Sequence, residues 1–372
     1  MVKASKTSKN YSTKLYAILG VVIAVLAPIS FLYFNGSLPV IPWPWPNPNP
    51  NPNPNPSGVL PLSWTRYSGN PFSLPGGSVL HPDVLYFDSP MDGYNYWMVY
   101  TPYPPDAVEN PSVVRSTTGY SWSDSGISNP VIPGGTAGLQ YNADVDWLYV
   151  SEYHKFFMTW CLWSPHELYI AFAYSTDGKV WTCGNWGVSP HPNSPILFSD
   201  MRTEPTMYYQ DGVFHLFAIG GSVSPYGSDG FIAYYTFQWD NGQNRPVNMA
   251  SHGEWRPPAV SGVCQEGTGH IDVVKYGSNF YLYGLRLPAS GETSARLLYC
   301  FKATSPGLSW ENYGVLLQRS GGWESGWIYR SSILHDGVGN AVVVNGKLWL
   351  YYTGGSSVSE ERIGLAQATP IT

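Results

Sequence analysis

The sequence predicts an all-β fold, a five-bladed β-propeller, from its repeated pattern and its composition. Five segments of about 60 residues repeat the same order of strand-like runs and turns, which is typical of a propeller. Aromatic residues make up 16% of the 372 residues, and the chain contains 39 Gly and 33 Pro. The aromatic content excludes a wholly disordered chain, and the many turn residues argue against a helical bundle.

Each repeat begins with a strand headed by a polar residue and also contains a sharp turn. Three repeats share a (Ser/Thr)-x-x-Gly-x-x-Trp turn, at Ser116–Trp122, Ser175–Trp181 and Thr304–Trp310. The glycine allows a positive φ, and the Trp packs over the edge of the following strand. The other two repeats carry the hairpin dipeptides Asp211-Gly212 and Asn345-Gly346. We place the strand heads at Asp83, Asp146, Glu204, Asp272 and Ser332, which are 63, 58, 68 and 60 residues apart.

The last repeat lacks its outer strand, and the sequence predicts that the start of the propeller supplies it. Trp64 is followed by Asn70-Pro71, just as Trp122 is followed by Asn129-Pro130 after the first glycine turn. Residues 63–67 are therefore expected to pair into blade five and close the ring, which removes free strand edges. An open β-sandwich or β-helix would not predict this complementary half-repeat.

The residues before the propeller are predicted to form an anchor and a stalk. Residues 1–14 carry four lysines and no acid, and residues 15–34 form an uncharged stretch long enough to cross a membrane. The basic flank is expected on the cytoplasmic side. The competing interpretation of residues 15–34 is a cleaved signal peptide. Residues 35–57 have proline at alternate positions from 42 to 56 and predict an extended stalk, so the propeller, residues 58–372, is expected outside the cell.

Charge and cysteine content narrow the function further. The chain has 19 basic and 25 acidic residues, a net charge of −6, and no basic stripe beyond its first 14 residues. This balance argues against a nucleic-acid partner. Four cysteines in an exported domain predict two local disulfides, with four free thiols as the alternative. Cys161 and Cys183 lie 22 residues apart and Cys264 and Cys300 lie 36 apart, but the spacing alone does not determine the connectivity.

Acidic residues at equivalent strand heads are the sharpest functional signal. The first strand of each blade lines the channel of a propeller, so Asp83, Asp146 and Glu204 are expected to converge there. Only 12% of the chain is charged, which makes recurring acids at one repeat position informative. Neighbouring like charges raise one another's pKa and can keep one carboxyl protonated as a general acid. The alternative is structural, with the acids capping loops or binding a structural ion.

Around these residues the sequence resembles the five-bladed propeller glycoside hydrolases, namely family 43 arabinanases and xylosidases and family 32 invertases. The similar segments are HPDV, DVDW, RTEPTMYYQDGVFHLF and GTGH. The resemblance implies that Asp83 is the catalytic base, Asp146 orients the acid and Glu204 is the general acid, with Asp144 as a rival to Asp146. It also implies that His270 lies near a calcium ion. Carboxyl groups about 6.5–9.5 Å apart would make the reaction inverting, and a separation near 5 Å would make it retaining.

Other polar and aromatic residues are candidate contacts for a sugar, each with a structural alternative such as a salt bridge, a hydrogen bond or core packing. The candidates for substrate binding are His81, Arg202, His270, Arg330 and Trp327, and Trp163, Trp323 and Tyr329 could also stack on sugar rings. The expected function is a membrane-anchored extracellular glycoside hydrolase with a carbohydrate substrate. The alternative is a non-catalytic glycan-binding or adhesion propeller displayed on a stalk.

Overall fold

The computed structural model describes residues 58–103, 109–134, 141–164, 167–187, 195–198, 202–220, 230–290, 296–357 and 360–371. These residues belong to the second of two units into which the chain divides, Asn47–Thr372. The predicted basic tail (1–14), anchor (15–34) and stalk (35–57) lie outside the described residues. Within the described ranges, none of the helices is both long and apolar enough to cross a membrane.

The described strands form five antiparallel sheets, which are the blades of a β-propeller. Blade one contains β2 (Ser78–Met91), β3 (Tyr94–Tyr103) and β4 (Ser112–Ser116). Blade two contains β5 (Tyr141–Val150), β6 (Lys155–Ser164), β7 (Glu167–Ser175), β8 (Thr182–Cys183) and β9 (Ile196–Phe198). Blade three contains β10 (Thr203–Gln210), β11 (Val213–Gly220), β12 (Phe231–Asp240) and β13 (Arg245–Trp255). Blade four contains β14 (Gly269–Tyr276), β15 (Asn279–Arg286), β16 (Leu297–Ala303) and β17 (Glu311–Gln318). Blade five contains β18 (Trp327–Ile333), β19 (Leu348–Gly355), β20 (Arg362–Ala368) and β1 (Thr65–Arg66), and a short 3-10 helix spans Gly322–Glu324.

The predicted ring closure is confirmed by the pairing of β1 with β20. Thr65 lies opposite Gln367, and Arg66 lies opposite Ala366. The matching Asn-Pro segments also play equivalent parts. The side-chain amide of Asn70 exchanges two hydrogen bonds with the backbone of Leu365, and that of Asn129 does the same with Val113. The half-repeat at the start of the propeller therefore completes blade five.

The inner strands β2, β5, β10, β14 and β18 lie side by side around the channel. Each inner strand meets the inner strand of the next blade at a junction. In four of the five junctions, a polar side chain near the strand head accepts a hydrogen bond from a backbone N–H of the next blade. The bonds run from Trp147 N to Asp83 Oδ2 (2.8 Å), Met207 N to Asp146 Oδ1 (3.0 Å), Val273 N to Thr206 Oγ1 (3.2 Å) and Val84 N to Ser332 Oγ (3.3 Å). In the fifth junction the hydroxyl of Tyr283 bridges the two blades. It donates to Asp272 Oδ2 (2.5 Å) and accepts from Ile333 N (2.8 Å).

These bonds correct the predicted register of blade three. The residue equivalent to Asp83 and Asp146 is Thr206, not Glu204. With Thr206 the spacings become 63, 60, 66 and 60 residues, which are more regular than those first assigned. Glu204 therefore belongs to a different set of equivalent positions, two residues before the heads.

A single loop closes the far end of the channel, where the inner strands end. Backbone N–H groups of four blades donate to four of the five carbonyl groups of residues 335–339. The bonds are Tyr86 N to His335 O (2.8 Å), Tyr149 N to Gly337 O (2.8 Å), Tyr209 N to Val338 O (3.1 Å) and Lys275 N to Gly339 O (3.0 Å). We call the end where the inner strands begin the entry face. The loop thus forms a floor across the channel at the end opposite that face.

Gly337→Ala is expected to destabilise the protein by about 3 kcal/mol, because overpacking at a rigid site has that order of cost. A Cβ at Gly337 would lie 2.0 Å from the carbonyl oxygen of Tyr149, an atom that cannot move without breaking the floor. Urea unfolding measures the change. Gly321→Ala is the matched control, since a Cβ there meets no atom within 4 Å and its φ is −80°. Equal stability of the two variants would contradict the role of the loop.

His335 ties this floor to blade one, and its replacement should change how stability depends on pH. Its Nε2 lies 2.8 Å from Asp83 Oδ1. Burial lowers the pKa of His335, but the charge and hydrogen bond of Asp83 outweigh it and raise the pKa to about 9. The stabilisation is thus complete below the unfolded pKa of about 6.5 and is lost as the pH rises through 9.

We therefore expect the free energy of unfolding of wild type to exceed that of His335→Gln by about 3 kcal/mol near pH 6, because removing one partner of a buried pair has that order of cost. The difference should shrink steadily as the pH rises toward 9. Urea unfolding at several pH values measures it, and a difference that does not vary with pH would contradict the ion pair.

The predicted disulfides are wrong in the structure, where all four cysteines are free. Strand β7 separates Cys161 on β6 from Cys183 on β8, so the two lie about two strand spacings apart, beyond the roughly 7 Å limit for a bridge. Cys264 packs in one core cluster with Tyr299. Cys300 follows Tyr299 on β16 and therefore faces the opposite side, in another cluster.

Candidate functional site

Five equivalent positions form a ring nearer the entry face than the strand heads. Each lies two residues before a head, and the residues are His81, Asp144, Glu204, His270 and Arg330. The pairing register of every inner strand shifts in this region, so one extra residue is accommodated. The first four residues have positive φ values of 54°, 53°, 54° and 45°. Such bulges re-aim side chains and concentrate at functional sites.

Two histidines and one aspartate of this ring form a candidate metal centre. Asp144 Oδ1 lies 3.0 Å from His81 Nε2 and 3.0 Å from His270 Nδ1. One ligand atom from each of the three side chains lies within 4.8 Å of the others. His81 is 3% exposed, yet its Nε2 has no hydrogen bond with suitable geometry among the described residues. A buried nitrogen that faces a carboxylate without a hydrogen bond fits a shared metal ion.

The donor atoms select the class of metal. Two imidazoles and one carboxylate suit zinc and other first-row transition ions, whereas calcium prefers oxygen ligands only. The resemblance to family 43 implied a calcium ion near His270, and this ligand set disagrees with that ion. Burial lowers the pKa of His270 to about 4, so its imidazole is neutral at pH 7 and can bind a metal.

Neighbouring groups fix the orientation of His81. Its Nδ1 lies 2.6 Å from Thr101 Oγ1 and 3.3 Å from Glu109 Oε2. Thr101 in turn lies within hydrogen-bond distance of Glu109, at 3.3 Å. A second ring nitrogen held by hydroxyl and carboxylate groups is the usual support of a metal-binding histidine.

Glu204 lies beside the metal centre and is the candidate general acid–base. One carboxylate oxygen accepts the backbone N–H of His270, and Oε1 lies 3.4 Å from His270 Nε2. Burial, followed by the negative charge of Asp144, raises the pKa of Glu204 well above its usual value. Burial would also raise the pKa of Asp144, but His81, His270 and Arg330 lower it. The pKa values of the two carboxyls are therefore shifted in opposite directions, upward for Glu204 and downward for Asp144.

Cationic and aromatic side chains complete the surroundings. Arg330 Nη2 donates to Pro205 O (2.9 Å) and lies 3.6 Å from Asp146 Oδ2. Its Nε and Nη1 have no hydrogen-bond partner among the described residues. The Arg296 guanidinium lies 5.6 Å from the ring centres of both Trp327 and Tyr329. The Tyr329 ring is 3.8 Å from that of His270.

The structure separates the predicted catalytic residues into two groups. Asp83 accepts hydrogen bonds from Trp147 N and Ser332 Oγ and pairs with His335. Asp146 likewise serves the junction to blade three. The carboxylate in the ring of Glu204 is Asp144, the rival considered from the sequence.

The predicted substrate contacts are divided in the same way. His81, His270 and Arg330 belong to the ring, and Trp327 lies beside Arg296. Arg202 instead pairs with Glu254 on blade three, 2.5 Å away. Sequence reasoning missed Thr101, Glu109 and Arg296, which show no repeat signal. Placing the head of blade three at Thr206 makes the repeat spacing more regular and puts Glu204 two residues before a head. That spacing could have identified the ring.

Comparisons with known proteins agree with the propeller fold. No protein-family model matches the chain. A segment of 131 residues is 40% identical to the A type blood N-acetyl-alpha-D-galactosamine deacetylase of Flavonifractor plautii, and it spans 33% of this chain but 15% of that protein.

Solved structures match most of the chain. A crystal structure of an N-acetylgalactosamine deacetylase from F. plautii, in complex with blood group B trisaccharide, matches with a TM-score of 0.59 and 21% identity, covering 84% of this chain and 95% of that one. The catalytic domain of the Coprinopsis cinerea GH62 alpha-L-arabinofuranosidase matches with a TM-score of 0.56 and 13% identity, covering 83% and 98%. The chain is therefore a five-bladed β-propeller whose fold is similar to that of these two solved structures.

Proposed function

We propose that the protein is a metal-dependent hydrolase that removes the N-acetyl group from an amino sugar of a glycan. The observation that carries the proposal is the His81–Asp144–His270 cluster beside the buried Glu204. The local identity to a named N-acetylgalactosamine deacetylase supports the substrate class. A cluster of nitrogen and carboxylate ligands next to a carboxyl of raised pKa suits amide hydrolysis.

His81, Asp144 and His270 would hold the metal. When bound, a divalent metal at such a site supplies a Lewis acid for a carbonyl oxygen and lowers the pKa of water. Thr101 and Glu109 keep the His81 ring in place. Arg330, whose Nε and Nη1 find no hydrogen-bond partner within the described part of the chain, provides positive charge in the same ring.

Glu204 performs the proton transfers. As a base it removes a proton from water while the new C–O bond to the acetyl carbon forms. As an acid it then gives that proton to the sugar nitrogen while the C–N bond breaks, which releases acetate and a free amine. Burial raises the pKa of Glu204 well above its usual value, which favours the protonated form that donates in the second step.

The test is an assay of acetate release by the purified full chain from methyl α-N-acetylgalactosaminide and from blood group A trisaccharide. We expect release that is abolished by a chelator and restored by a transition metal. Release of a reducing sugar without acetate, or activity indifferent to the chelator, would contradict the proposal.

Glycoside hydrolysis is the second candidate, favoured by the opposite pKa directions of Glu204 and Asp144. Such a pair of carboxyls can divide the roles of acid and base. Asp83 as the base of an inverting reaction is less well supported, because its carboxylate is already bonded within the blade junction. Reducing sugar released without acetate would favour this candidate. Glycan binding without turnover would favour a binding module.

We also propose that residues 15–34 anchor the propeller outside the cell. The uncharged stretch and the lysines before it support this placement. Protease treatment of intact cells tests it, since an external propeller should be cleaved from the surface.

A further inference from the structure

One tryptophan near the entry face remains without a role in the chemistry described above. Trp163, near the end of β6, is 42% exposed, whereas Trp160 on the same strand is 1% exposed. Trp97, Trp147 and Trp349 are also fully buried. Covering the exposed face of this ring with a ligand would remove apolar surface from water and would therefore be favourable.

The ring of Trp163 is held in a fixed orientation. It stacks on Tyr141, with ring centres 4.5 Å apart and planes tilted by 28°. The two residues form a cross-strand pair between β5 and β6. Asn142, the next residue of β5, is also held in place, because Trp160 Nε1 donates to Asn142 Oδ1 (2.8 Å) and Asn142 Nδ2 donates to Asn110 Oδ1 (2.9 Å).

Strand β5 connects this aromatic pair to the metal centre. Tyr141 is the first residue of β5, and Asp144 follows three residues later on the same strand. Three residues of strand span about 10 Å. A single sugar ring whose acetamide group lies at Asp144 would not reach Trp163, but the next sugars of a glycan would.

We propose that Trp163 and Tyr141 form an aromatic subsite that binds a sugar ring beyond the acetylated residue. The apolar C–H face of a pyranose packs on an exposed aromatic face, and a preformed, rigid platform loses little entropy on binding. This inference rests on the proposed function, and it makes the preferred substrate an oligosaccharide rather than a monosaccharide.

The kinetic test compares Trp163→Ala with wild type on two substrates, methyl α-N-acetylgalactosaminide and blood group A trisaccharide. The ratio of kcat/KM for the trisaccharide to that for the monosaccharide should fall about tenfold, mainly through KM, since the subsite binds substrate and transition state alike. Trp163→Phe should recover most of the ratio. Tyr120→Ala is the control. Tyr120 is 36% exposed and lies in a turn of blade one, at the end away from the entry face. A ratio equal to wild type in Trp163→Ala would overturn the subsite.

A binding arm separates this inference from the proposed function. Calorimetry with Glu204→Gln measures affinity for the two sugars without turnover, and adding Trp163→Ala should weaken trisaccharide binding about tenfold relative to the monosaccharide. If wild type releases no acetate but this difference is present, the deacetylase proposal fails and the subsite stands. If acetate is released and the difference is absent, the subsite fails and the deacetylase proposal stands.

Discussion

Glu204→Gln is expected to lower kcat for acetate release about 10³-fold, the usual scale for loss of a general acid–base. The amide keeps the shape of the side chain and can still meet the backbone N–H of His270 through its oxygen. It cannot take a proton from water. Metal affinity should stay close to that of wild type, because Glu204 lies outside the ligand cluster.

The control for this variant is Glu266→Gln, at an exposed glutamate that pairs with Arg256 at 3.5 Å. Its kcat should equal that of wild type. Steady-state kinetics and metal titration are measured on both variants. A Glu204→Gln enzyme with more than a tenth of wild-type kcat would remove Glu204 from the mechanism. Loss of metal in that variant would instead place Glu204 among the ligands.

The fold could be predicted from the sequence because each blade repeats its own local chemistry. The Gly178 N–H donates to Ser175 Oγ (2.9 Å), and Trp181 Nε1 donates to Gly178 O (3.2 Å). These bonds lie within one turn, so the seven-residue motif is enough to reveal them. Closure by residues 63–67 was predictable for the same reason, since half of a known repeat was present.

The candidate site could be predicted only in part, because its geometry depends on β-bulges. A strand without a bulge keeps residues 81 and 83 on one face, and nothing in HPDV shows which of them meets the metal centre. The bulge turns His81 toward Asp144 and leaves Asp83 to bond the next blade. Contacts between blades, such as Arg296 near Tyr329, depend on packing that no single repeat encodes.

Asp144→Asn should therefore impair metal binding and Asp83→Asn should impair stability, although Asp144 lies in the ring and Asp83 is at a strand head only two positions away in the repeat. Asp144→Asn removes the one carboxylate between two imidazoles. Its metal affinity should fall more than about 100-fold, since loss of an outer-shell partner alone has an effect of about 10–100-fold. Acetate release should fall with it, and this loss of metal binding by the folded protein is the effect that distinguishes the variant.

Asp83→Asn has the opposite expectation, because its carboxylate bonds Trp147 N, Ser332 and His335 in the junctions. It should lose about 3–5 kcal/mol of stability, the cost of leaving a buried partner unpaired, while the folded fraction binds metal like wild type. Metal titration and urea unfolding of both variants measure the two effects. If Asp83→Asn loses the metal and Asp144→Asn does not, Asp83 is the functional carboxylate, as the resemblance to family 43 implied. Loss of metal by Asp144→Asn alone assigns binding to the ring at the bulges and assembly of the blades to the strand heads.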